Sequence, residues 1–203
     1  MKHAASGASR HSMTLTGCLV FLLLLASFLE TSVNAATDPD ALDAARKLFY
    51  ASVTDKHQLQ PALQAFIALQ REHPHWEGRA MTYTGALVAL KGKHSFWPHD
   101  KLHWAKRGLQ IMDEGIAREP HDIEALFIHS STCYFLPFFF NRQEDAQEKF
   151  RTIIRLLPNH FQAYDRELIR NVVLFIEGKA HLDGDAHLRL EQIKRQLGLA
   201  STP

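Results

Sequence analysis

An all-α fold of stacked helical hairpins is predicted by three features of this chain. They are apolar stripes at helical spacing, a small–bulky–proline pattern that returns along the sequence, and no segment of strand-like alternation after residue 35. About 165 of the 203 residues follow a segment that reads as an export signal, enough for one domain (36–203) with a sizeable core.

That N-terminal segment, residues 1–35, comes first. A polar, weakly basic stretch ends near Thr16, and the run from Gly17 to Leu29 is apolar or small. Its length suits the core of a secretory signal and falls short of the roughly 20 residues that span a bilayer as a helix. Val33 and Ala35 supply the small residues of a cleavage site, so the mature chain is expected to start at Ala36. Retention of the segment as an uncleaved anchor is the rival expectation. Cys18 precedes the apolar run, the reverse of a lipoprotein signal, so lipidation is not expected. Its loss leaves Cys133 alone, and stability must come from packing with no internal disulfide.

Charge excludes some partners. Removing Lys2, Arg10 and Glu30 from totals of 23 basic and 22 acidic residues leaves 21 of each. A nucleic-acid binder needs a basic surface to displace counterions, and no such excess exists here. Nor is there a polybasic cluster to hold an anionic membrane surface.

Asp38 followed by Pro39 is a good first-helix start. Leu59, Leu63, Phe66 and Ile67 make one apolar stripe, and Leu102, Ala105, Leu109, Met112 and Ile116 another. Ala146, Phe150, Ile153, Ile154 and Leu157 make the clearest, with Asn141 as its expected cap, Glu144 as capping-box partner and Pro158 as its stop. Four hairpins follow, at about 39–53 with 57–73, 76–91 with 98–119, 122–136 with 142–157, and 160–177 with 185–197. The last helix, rich in Arg, Glu, Lys and Gln, is the polar end such a stack requires.

The repeat behind this map is Ala62-x3-Phe66-x7-Pro74, again as Ala146-x3-Phe150-x7-Pro158, loosely as Gly108-x3-Met112-x7-Pro120, and as Ala186-x3-Leu190-x7-Gly198. A small residue admits a neighbouring helix, a bulky one fills the gap, and proline or glycine ends the helix. These residues resemble the second helix of the tetratricopeptide repeat (TPR), over most of residues 38–200. Stop-to-stop intervals of 46, 38 and 40 residues exceed the roughly 34 of a standard repeat. The first-helix positions also depart from the family, with Ala80, Tyr83, Thr84 and Leu87, then Leu126, His129, Ser130 and Cys133. The resemblance implies a right-handed solenoid of antiparallel helix pairs whose concave face holds peptide. The departures carry no peptide-binding residue over to this chain.

Most of the extra length lies in the turns within hairpins, Gly92–Asp100 and Leu136–Arg142. In a solenoid such turns emerge on one edge, so Phe96, Trp97, Phe138, Phe139 and Phe140 are expected to be neighbours. Exposed, they form a partner-binding patch; packed on one another, they close the edge as a satellite core. Packing is the favoured expectation, because exposed aromatics invite aggregation.

Other constellations are weighed by spacing. His99 and His103, at i and i+4, could share a metal, but no HExxH surrounds them and no third ligand is fixed. His73 and His75 straddle Pro74 without forming a ligand motif. His129 and Cys133, also four apart, are expected to face inward, where cysteine behaves as a small hydrophobe. Asp183-Gly184-Asp185 lacks the remaining ligands of a calcium loop and reads as a turn and cap. Phosphate-cradling glycine loops and the G-x-S-x-G elbow are absent from the sequence.

The expected function is a non-enzymatic scaffold in the bacterial envelope, without cofactor or metal, that binds a protein or peptide partner. Alternatives are a small-molecule or lipid carrier with an aromatic pocket, and an accessory subunit tethered by its N-terminal segment.

Overall fold

Residues 39–199 are described by a computed structural model. The export segment, its cleavage site, Cys18 and the expected Asp38 cap lie outside the described residues. Eight α-helices and no strand occur among those described: α1 (Pro39–Ser52), α2 (Leu59–Glu72), α3 (Glu77–His94), α4 (Pro98–Arg118), α5 (Ile123–Phe135), α6 (Gln143–His160), α7 (Arg166–Lys179) and α8 (Gly184–Leu197). The chain is all-α. None of these helices is long and apolar enough to cross a membrane.

The small–bulky positions carry the core. Ala62, Phe66, Met112, Ala146 and Phe150 have no exposed surface, Leu190 almost none, and Gly108 is buried; only Ala186 is partly exposed. Burying each bulky side chain contributes about 1.5–3 kcal/mol relative to leaving it in water. From α1 to α6 each helix packs on the next, most extensively α3 on α4 and α5 on α6, and α7 packs on α8. Next-but-one contacts also occur, α1 with α3, α3 with α5, and α6 with α8.

The α3–α4 contact is close enough to need glycine. A Cβ built on Gly85 would lie 2.6 Å from the Gly108 carbonyl oxygen, and one on Gly108 would lie 2.5 Å from that of Gly85. Gly78 meets the Gly115 carbonyl at 2.7 Å in the same way. The small residue of the repeat is therefore glycine in this hairpin because two backbones touch.

A buried carboxylate ties α1, α3 and α5 together. Glu124 on α5, fully buried, accepts hydrogen bonds from Arg46 Nε of α1 (2.7 Å) and Tyr83 OH of α3 (2.6 Å). Arg46 Nη2 lies 2.5 Å and Arg79 Nη1 3.5 Å from its other oxygen. Arg79 also donates to Asp122, whose carboxylate accepts from Tyr164 OH at 3.3 Å. Burial by itself would lower both arginines, yet Glu124 and Asp122 hold them above the ordinary guanidinium value. Each charge thus has a partner, without which burial would be costly.

Helix ends depart from expectation in several places. Pro158 does not stop α6, which runs two residues further; so near the end proline removes a single donor, and Phe161 N–H closes the last turn on Leu157 O. Asn141 does not cap α6 with its side chain. It takes the left-handed conformation (φ 54°) that ends the Phe138–Phe140 turn, and Arg142 occupies the cap position. α7 starts at Arg166, since Phe161–Ala163 form a 3-10 turn and Asp165 caps the following helix through Leu168 N–H. Asp183 caps α8 through Ala186 N–H, so the helix starts at Gly184, ahead of the expected start at 185; Gly198 (φ 69°) ends it, as the sequence leads one to expect.

Candidate functional site

A predominantly apolar concavity is built from one face of α1, α3, α5 and α7. Its volume is about 650 Å³. Three helices present lining residues at helical spacing: Phe49 and Tyr50 on α1, with Val53 just past its end, Ala86, Leu90 and Lys93 on α3, and Phe127, Ser131 and Phe135 on α5. Phe175 on α7 completes it. The buried Glu124 cluster joins three of these helices, α1, α3 and α5, beside the groove.

Its chemistry is almost entirely apolar. Phe175 stands edge-on to Phe127 (ring centroids 5.4 Å apart) and to Phe135 (6.0 Å). Opposite, Phe49 stands edge-on to Tyr83 at 4.8 Å. Thr132 and Ser131 hydroxyls donate to Ile128 O on their own helix, which leaves carbon facing the groove. Phe135 is 69% exposed and Tyr50 50% exposed, an unusual cost in water unless something covers them. Lys93 is the cation on the rim; its Nζ donates to Val53 O at the end of α1 (2.7 Å), where the helix dipole favours a positive charge.

The aromatic turns singled out in the sequence behave differently. Phe96 (83% exposed), Trp97 (59%), Phe138 (83%) and Phe139 (63%) do not close into a satellite core; only Phe140 is partly buried against the main one. Rings pair within each turn, Phe96 with Trp97 and Phe139 with both Phe138 and Phe140, and no ring pair joins the two turns among the described residues. Phe139 and Phe140 instead line a concavity with Leu102, Lys106 and Leu109 of α4.

His129 and Cys133 are fully buried, with Nδ1 and Sγ 3.5 Å apart. Asp113 on α4 accepts from His129 Nε2 at 2.8 Å, an orienting carboxylate that sequence spacing could not find. Arg142 bridges Asp113 and Asp145. The result has the outline of a Cys–His–Asp nucleophile, but burial and the nearby Asp145 push the thiol up to about 12. A nucleophile needs thiolate and access, and this buried, raised thiol offers neither. His99 and His103 lie exposed on α4, and His99 faces Asp100 at 3.3 Å. His73 is buried against Trp76.

Compared with protein-family models, curated proteins and solved structures, the chain finds no match. The groove must therefore be interpreted from its own residues. Phe49, Tyr50, Phe127, Phe135 and Phe175 escaped the sequence reading because they belong to four separated helices. Their signal was the apolar position left over on each odd-numbered helix after its core stripe is assigned.

Proposed function

We propose that this chain is a non-enzymatic, TPR-like scaffold of the bacterial envelope whose odd-helix groove holds an apolar peptide segment of a partner protein. In this reading the eight helices form a right-handed solenoid of four hairpins, and the groove is its concave face. One observation carries the proposal: the groove's helical walls all come from α1, α3, α5 and α7, one helix of each expected hairpin, and the TPR resemblance implies peptide held on a single concave face. The next-but-one contacts α1–α3, α3–α5 and α6–α8 agree with stacked hairpins. An apolar segment would cover Phe135 and Tyr50, and Lys93 would meet an acidic flank.

The test uses the purified protein and a displayed library of apolar peptides, with binding measured by calorimetry. Ser131→Trp fills the groove and should abolish binding, whereas Phe96→Ser with Phe138→Ser should leave it unchanged. Equal affinity in the Ser131→Trp variant would refute the site. A second reading has one point in its favour, since 650 Å³ is within the range of small-ligand pockets. A carrier of lipid or small molecules would show retained cargo in native mass spectrometry, and a peptide scaffold would not.

A further inference from the structure

Away from the groove, α5 and α6 bring three different donor atoms to one point. His129 Nδ1 and Cys133 Sγ are 3.5 Å apart, Cys133 Sγ is 3.9 Å from Asp145 Oδ2, and the three donors all lie within 4.8 Å of one another. Tetrahedral zinc, with Zn–S near 2.3 Å and Zn–N near 2.0 Å, sets sulfur and nitrogen ligands about 3.6 Å apart. The His–Cys edge already has that length. The Cys133–Asp145 edge needs a contraction of a few tenths of an ångström, and the His129–Asp145 edge, within 4.8 Å, must close further as the ion binds.

The tautomer is also set for it. Asp113 faces Arg142 with one carboxylate oxygen and His129 Nε2 with the other, so it is placed to accept from both. His129 must then donate through Nε2, which leaves the Nδ1 lone pair directed towards Cys133. A histidine whose far nitrogen donates to a carboxylate is the usual arrangement behind a zinc ligand.

We propose that His129 Nδ1, Cys133 Sγ and Asp145 Oδ2 bind one zinc(II) ion, with a solvent molecule as fourth ligand. On binding, the Cys133 S–H bond breaks, its proton leaves to solvent, and the sulfur lone pair goes to the metal; nothing is oxidised or reduced. Arg142, partly exposed, releases Asp145 Oδ2 and keeps Asp113, while Lys149 remains on Asp145 Oδ1. The ion would staple the start of α6 to the end of α5. This site is separate from the groove and does not depend on the peptide reading.

Cobalt(II) tests it, because exposed histidines cannot imitate a sulfur ligand. Titrating the purified protein should give a thiolate-to-cobalt charge-transfer band that saturates at one equivalent and is displaced by zinc. Cys133→Ala should lose the band, and Asp113→Asn should weaken affinity about 10–100-fold by loosening His129. Asp145→Asn, at the half-exposed edge of the cluster, removes a ligand without touching the core and should weaken binding at least as much. A folded protein with no such band overturns the proposal, as does unchanged affinity in Asp145→Asn.

Discussion

Gly108→Ala should destabilise the protein although alanine is the better helix former. In isolation the change would favour α4 by about 1 kcal/mol. The new Cβ, however, would lie 2.5 Å from Gly85 O, 2.6 Å from Ala89 N and 2.7 Å from Ala89 Cβ. Two of these are backbone atoms, which cannot swing away, so α3 and α4 must part. Overpacking of this kind costs about 1–3 kcal/mol, and contacts this short put it near the upper end. The net loss is about 2 kcal/mol, or about 4–8 °C in Tm for a domain of this size. Gly178→Ala on α7 is the control, since a Cβ there meets nothing within 4 Å. It should raise stability by about 0.5 kcal/mol through the unfolded chain alone. Ala89→Gly combined with Gly108→Ala should recover part of the loss, because one of the three contacts disappears. Thermal and urea unfolding followed by circular dichroism reads all four proteins. A Tm for Gly108→Ala at or above that of the unaltered protein would show that the helices are not in backbone contact.

Glu124→Ala leaves Arg46 and Arg79 without their buried partner and should cost about 3–5 kcal/mol in urea unfolding, with loss of peptide binding in the same variant. Tyr164, half-buried and facing the Asp122 carboxylate, is pushed up to about 12 by desolvation and by that charge, so the folded protein retains a proton that the unfolded chain loses near pH 10. Its contribution is therefore complete below pH 10 and disappears as pH rises towards 12; Tyr164→Phe should flatten stability over that interval, measured by urea unfolding at a series of alkaline pH values.

The groove and the polar cluster show the same dependence on tertiary structure. His129 and Cys133 were adjacent by helical spacing, but Asp113 and Asp145 reach them from α4 and α6, separated by 16 and 12 residues from their partners. Likewise Phe127 and Phe175 become one wall only because α5 and α7 pack on the same side. The aromatic turns mislead for the opposite reason. Their composition says that rings are present, and exposure is decided by what lies opposite, which no local pattern records.

What the sequence alone determined is periodic: helices at nearly the right limits, buried Ala62, Phe66, Ala146 and Phe150, and hairpins joined by short turns. Those follow because a 3.6-residue stripe must face a core and proline or glycine must interrupt it. Even there, Pro158 and Asn141 were overruled by neighbouring backbone that satisfied the same hydrogen bonds differently. Tertiary structure decided the backbone contact at Gly85 and Gly108, the ion pairs around Glu124, and the groove beside them. Each depends on distances between residues far apart in the chain, and helical period carries no information about those.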